Sequence, residues 1–364
     1  MKGLRSFSLT VAVCLCIAVM SASGQTAYRI SAPFTYKNLT MFLIHGADVS
    51  TSKDLITLQE AMEMNVFKVY ETEDVNELVV ENLSPKYDVF IQSGDIVKGG
   101  KQDRVLAISI IIPRNSGKVS IEAFCVESER WEGRGQESRK EFSSSEERVV
   151  SKELKIAANG TGSSSGSGSA GGSGVGYGSG NGDGDGDSVA IRGSQTKVWT
   201  EVANAQQNIS KNVMVDVTAN ASSSSLQLAL ENKKLEKARD DFAKAFADLP
   251  KGQSDVIGYA FAINGKINSA DIYVSNHLFN KLWEKMVKAA VVEAISLNHE
   301  KKAAKKPTEA DIRTFFDQAD KGKKNERQTV AKSKVVTRAT KNEVVYEARG
   351  ESDLVVHRNY VKLN

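Results

Sequence analysis

Two short runs hold most of the side chains in this chain that could do chemistry. The first is Gly99-Gly100-Lys101-Gln102-Asp103-Arg104, and the second is Cys125-Val126-Glu127-Ser128-Glu129-Arg130-Trp131. Adjacent glycines let a chain bend tightly and can turn several N–H groups towards one anion. Lys101 and Arg104 would add positive charge to such a nest. Spacing alone favours the plainer reading, a β-turn with solvated charges. It excludes a P-loop, because the Gly-x-x-x-x-Gly-Lys-Ser/Thr spacing is absent and no helix is predicted to follow. In the second run, Glu127 is the general-base candidate, Arg130 a second anchor for anionic charge, and Trp131 a face on which a planar ring could stack. Cys125 is a weaker nucleophile candidate. It closes an apolar strand, where a thiol is usually inert, and a carboxylate two positions on raises a thiol pKa rather than lowering it. His45, His277, His299 and His357 include no pair at metal-ligand spacing, so no metal site and no cofactor are predicted.

The elements around these runs read as α+β. Short apolar runs predict strands at 66–71, 78–81, 87–92, 105–113 and 119–126, which place the first motif between strands and the second at a strand end. Thr57-Leu58-Gln59-Glu60 forms a capping box that predicts a helix start. In the second half, Leu228, Leu235, Ala238, Phe242, Ala245 and Leu249 predict one amphipathic helix ending at Pro250. Asn264-Gly265 between apolar runs predicts a type I′ hairpin. A helix through Phe279, Leu282, Trp283, Met286 and Ala290 follows, then another from Thr308, and 330–361 alternates like strands. The expected architecture is a β-rich N-terminal half packed against a helix–hairpin–helix C-terminal half.

Between the halves, residues 159–188 contain 13 Gly and 8 Ser and close on an acidic Asp-Gly repeat. That composition buries too little apolar surface to offset ordering entropy, and is expected to form a disordered insertion. At the other end, Lys2 and Arg5, the apolar run 9–20 and the small residues Ser21-Ala22-Ser23-Gly24 have the layout of a secretory signal, expected to span 1–24. Its apolar run is too short to span a bilayer, so no stable membrane anchor is expected after cleavage. Losing Lys2 and Arg5 from 48 basic residues leaves 46 against 45 acidic, so a net charge of +3 becomes +1. A near-neutral chain argues against nucleic acid as a partner. Cys14 and Cys16 also leave, so Cys125 alone remains and no internal disulfide can form. That pattern points to export into a bacterial periplasm or the extracellular space.

Taken in order, Tyr36-Lys-Asn-Leu39, Glu77–Asn82, Gly94, Gly99–Arg104, Cys125-Val-Glu127 and Arg130-Trp131 resemble the ARG and Rhodanese-Phosphatase-superfamily-associated Protein domain. The likeness continues through Val198-Trp199, Gly252-Gln253, Gly258, Asn264-Gly265, Asp271 and Trp283 to Val356-His-Arg358. It implies one domain over 25–362 with 159–188 inserted. It also implies association with ADP-ribose and phosphate-linked proteins, without naming a reaction. Gly99, Gly100, Gln102, Arg104, Glu127, Arg130 and Trp131 are the site residues it favours. The expected function is therefore an exported domain that binds or processes a small anionic, phosphorylated or ADP-ribose-like ligand. Replacing Arg104 is then expected to abolish binding and spare the fold. The alternative is a non-catalytic cell-envelope structural or interaction module, in which Glu127, Arg104 and Arg130 pair among themselves. Whether the chain is an enzyme stays open at this point.

Overall fold

The computed structural model describes residues 28–49, 54–128, 130–149, 151–160, 193–298, 305–329 and 333–363. The expected signal at 1–24 and all but the first two residues of the expected insertion lie outside the described residues. Among the described residues the fold is mixed α+β, with 7 helices and 18 strands arranged in three sheets.

The largest sheet has nine antiparallel strands and draws on both ends of the chain. Its spine runs Arg29–Ile30, Leu39–His45, Val256–Ile263, Lys266–Tyr273, Val355–Lys362, Glu343–Arg349, Lys334–Ala339 and Lys323–Gln328, with Phe34–Tyr36 also paired to Leu39–His45. At its centre is the predicted hairpin, with Asn264 at φ 52° and Gly265 at φ 78°, the two left-handed residues that a type I′ turn requires. One face buries Tyr259, Phe261 and Tyr273 under helices Lys233–Ala247 and Asn276–Ser296, which contribute Phe242, Phe246, Phe279, Trp283 and Met286. Each such side chain is worth roughly 1.5–3 kcal/mol when fully buried. The other face packs on helix Glu309–Asp320 through Ile312, Phe315 and Phe316.

The second sheet has six strands, in the order Phe142–Arg148, Asp95–Gly99, Arg104–Leu106, Gly117–Cys125, Glu77–Asn82 and Phe67–Tyr70. Its outer strands meet through a Tyr70–Glu141 bridge, and Glu71 N–H donates to Lys140 O at 2.9 Å, so the sheet curls closed on itself. A small third sheet (Ile110–Ile112, Asp88–Ile91, Leu55–Thr57) lies between the two. Thr57 caps helix Leu58–Glu63 with the capping box expected of it, and Thr308 caps its helix with another.

Three local expectations change. The run 105–113 divides into Arg104–Leu106 and Ile110–Ile112, which belong to different sheets. The helix expected through Leu228–Leu249 is two helices, Leu226–Leu230 and Lys233–Ala247. Asn232 interrupts it, because its side chain accepts from Lys234 N–H and starts the second helix afresh. Finally, Asn159 is the last residue of helix Lys152–Asn159 and donates through Nδ2 to Ser93 Oγ at 2.7 Å, so the tract's first residue is built into the fold.

Candidate functional site

The first motif is the turn joining Asp95–Gly99 to Arg104–Leu106. Gly99 and Gly100 have φ of 120° and 57°, and a Cβ on Gly100 would lie 2.3 Å from Phe142 Cζ and 2.6 Å from Glu71 Oε2. Only glycine fits there. The N–H groups of this turn already have partners. Gly99 donates to Asp103 Oδ1 at 3.1 Å, Gly100 to Ser138 O at 2.9 Å and Lys101 to Glu71 Oε2 at 2.9 Å.

The second motif leaves strand Gly117–Cys125 beside the first. Cys125 is paired in register with Arg104, and Val126 N–H donates to Asp103 O at 3.0 Å. The two runs therefore form one cluster, built from buried ion pairs. Arg104, wholly buried, donates through Nη2 to Glu71 Oε1 at 3.1 Å and through Nη1 to Gln102 O at 3.1 Å. Arg130 Nε donates to Glu127 Oε1 at 2.9 Å, and its Nη2 lies 2.8 Å from Glu127 Oε2 and 3.7 Å from Asp103 Oδ1. Arg134 reaches Asp103 Oδ2 and Glu137 Oε1, each at 2.9 Å. Burial raises the Asp103 carboxyl, and Arg134 opposes it. Burial pulls the Arg134 guanidinium down, but Asp103 and Glu137 outweigh it and raise it overall. Two buried polar atoms of the first motif, Gln102 Oε1 and Arg104 Nε, have no hydrogen-bond partner.

Cys125 is free and buried. Burial pushes its thiol up to about 12 against a smaller downward pull from Arg104, so it carries no thiolate at neutral pH. Trp131 is 43% exposed, and its ring centre lies 5.3 Å from Lys101 Nζ and 6.0 Å from Arg104 Cζ. Lys101 pairs with the exposed Glu73 at 3.0 Å. Glu71, Asp103, Arg134 and Glu137 are the cluster members that sequence reasoning missed. Asp103 stood inside the motif and carried a local signal; Glu71 ended a predicted strand 28 positions before Gly99, and nothing local tied it to the turn. Among the described residues, no three His, Cys, Asp or Glu are grouped to hold a metal, and no helix is long and apolar enough to cross a membrane.

Comparison with known families settles the kinship. The model of the ARG and Rhodanese-Phosphatase-superfamily-associated Protein domain matches residues 27–364. The chain belongs to this family. Among curated proteins and among solved structures, no match was found.

Gly94, Asp271 and His357, which the resemblance also includes, sit far apart in sequence and come together in a buried polar cluster. Asp271 Oδ1 accepts from His357 Nε2 at 3.0 Å and Asn359 Nδ2 at 2.9 Å, and Arg148 donates to Ser93 O beside Gly94. Glu293, also buried, accepts from Asn268 Nδ2 at 2.8 Å and from Lys152 N–H at 3.0 Å. Burial first, and Glu153 second, push the Glu293 carboxyl up to about 7 from 4.5, against the hydrogen bonds from Asn268 and Lys152 and the charge of Lys155. The folded state thus holds a proton that the unfolded chain releases. This contribution is complete below the unfolded value and is lost as pH rises through about 7. Glu293→Gln keeps the acceptor oxygen and removes the ionisation. Relative to the unsubstituted protein it should gain nothing near pH 4 and about 3 kcal/mol by pH 8. Urea unfolding at the two pH values checks this, and a pH-independent difference would contradict it.

Proposed function

We propose that this family member is exported by its N-terminal segment and binds a small anionic ligand, phosphorylated or ADP-ribose-like, at the Trp131 edge of the ionic cluster. The observation that carries this reading is the half-exposed Trp131 ring lying over Lys101 and Arg104, where both motifs meet. A ring of the ligand stacks on Trp131, and its anion draws Lys101 away from Glu73, an exposed pair that costs little to break. Gln102 orients the ligand from beneath. Arg104 and Arg130 act through the charge field rather than as free hands, since both already hold carboxylates. Glu127 can serve as a base only after its pair with Arg130 opens.

Phosphate and ADP-ribose should raise the melting temperature of the mature chain, since a ligand at 100 times its Kd adds about 2.7 kcal/mol. Trp131→Ala and Lys101→Ala should remove that shift while leaving the unliganded melting temperature within a degree or two, because both side chains lie at the surface. The second reading, a non-catalytic envelope module, is favoured by the pairing of Arg104, Arg130 and Arg134 with Glu71, Glu127 and Asp103. No shift with any of a panel of phosphorylated compounds would establish that reading over the first.

A further inference from the structure

Ser109 lies where the chain passes from the six-stranded sheet to the small one. Its Oγ is 3.1 Å from His357 Nδ1, and His357 Nε2 is 3.0 Å from Asp271 Oδ1. The imidazole is fixed by stacking on Tyr273 at 4.8 Å between ring centres and by an edge contact with Phe90 at 5.5 Å. A carboxylate can only accept, so the ring proton resides on Nε2 and the Nδ1 lone pair faces Ser109. Ser93 N–H donates to Ser109 Oγ at 3.0 Å, which directs the serine hydroxyl proton to His357.

A structural Asp–His pair would be expected to satisfy the polar atoms around it, as buried groups almost always are. Here Gln92 Oε1, Arg148 Nε and Ser269 Oγ are all buried without a hydrogen-bond partner, while the Tyr259 hydroxyl faces Asp271. Arg148 and Lys155 bring positive charge to the same place. Burial raises the Asp271 carboxyl, but Lys155, His357 and Arg148 together hold it well below the usual carboxylate range. Burial lowers His357, Arg148 and Lys155 lower it further, and Asp271 opposes them, leaving a neutral imidazole beside an ionised carboxylate.

We propose that Ser109, His357 and Asp271 form a second site, a nucleophile–base–carboxylate relay that cleaves a small carboxylic ester, independent of the ligand reading at Trp131. Ser109 Oγ bonds to the ester carbonyl carbon while its proton passes to His357 Nδ1, and Asp271 stabilises the imidazolium. The carbonyl oxygen becomes an oxyanion in the field of Arg148 and Lys155. Collapse breaks the bond to the leaving oxygen, which takes the proton from His357 and departs as an alcohol. Water, deprotonated by the same imidazole, then cleaves the acyl-serine and restores the hydroxyl.

The test uses the mature chain and p-nitrophenyl acetate. The expected result is a burst of about one equivalent of nitrophenol, with an acetyl group on the peptide containing Ser109, and its loss in Ser109→Ala that melts as the unsubstituted protein does. Asp271 acts through His357, so it is a positioning residue. Asp271→Asn turns a donor towards Nε2, moves the ring proton to Nδ1, and should slow acylation by about 10⁴-fold. If that variant does not fold, the pH profile of the unsubstituted protein decides. Asp271, Arg148 and Lys155 face the imidazole, and acylation should rise to a plateau with a midpoint below 6.5. No burst and no acetyl-Ser109, or a burst that persists in folded Ser109→Ala, would overturn the proposal.

Discussion

A fragment of residues 25–157 is expected to show no cooperative unfolding transition, although it contains both motifs and every strand of the six-stranded sheet. Strand Leu39–His45 is buried along its whole length, and its long partner is Val256–Ile263, paired from Val256–His45 to Ile263–Leu39. Truncation exposes that edge and uncovers Leu39, Met41, Phe42, Leu43 and Ile44. At roughly 1.5–3 kcal/mol for each side chain the loss is about 10 kcal/mol, comparable to the whole stability of an ordinary domain. The six-stranded sheet loses cover as well. Gln195 clamps Cys125, accepting its N–H at 2.9 Å and donating to its carbonyl at 2.8 Å, while Leu226 N–H reaches Val126 O at 3.1 Å. Circular dichroism and urea titration of the purified fragment check this. A soluble fragment with a sigmoidal transition would show that the two sides of the insertion are independent folding units.

What could be read from sequence was governed by how local its cause is. The hairpin at Asn264-Gly265, the capping box at Thr57 and the helix start at Thr308 depend on residues within four positions, and each forms as expected. Strand Phe142–Arg148 gave no signal, because its inward residues include Ser145, Glu147 and Arg148, polar groups paired with other elements. Helix Gln195–Val213 carries Val198, Val202, Ala205 and Ile209 on one face, a stripe present in the sequence but diluted by polar neighbours. The meeting of the two motifs was legible as a shared concentration of charged side chains. Their partners were not, because closure of the sheet brings Glu71 to Arg104 across 33 positions. The Ser109–His357 contact spans 248 positions, and no spacing rule reaches that far.

The same closure reverses the sequence expectation for Arg104, which read as a free charge whose removal would spare the fold. Arg104→Ala is expected to destabilise the protein by about 3–5 kcal/mol, the cost of leaving one member of a buried ion pair without its partner. Glu71 is almost wholly buried and would keep only backbone N–H donors from Thr72, Glu73 and Lys101. Arg104→Lys should recover little. The guanidinium bridges Glu71 with one terminal nitrogen and Gln102 O with the other, a fork that a single ammonium cannot reproduce. Lys101→Ala, three residues earlier in the chain and ion-paired to the exposed Glu73, should cost no more than about 1 kcal/mol. Combining Glu71→Gln with Arg104→Met removes both charges, so the double variant should be more stable than the sum of the single losses by about 0.5–3 kcal/mol. Urea unfolding at pH 7 with unchanged m-values gives all four numbers. If Arg104→Ala fell within 1 kcal/mol of the unsubstituted protein, the Glu71–Arg104 pair would not be what holds the glycine turn against the curled sheet. Arg104 would then again be available as a direct ligand for an anion.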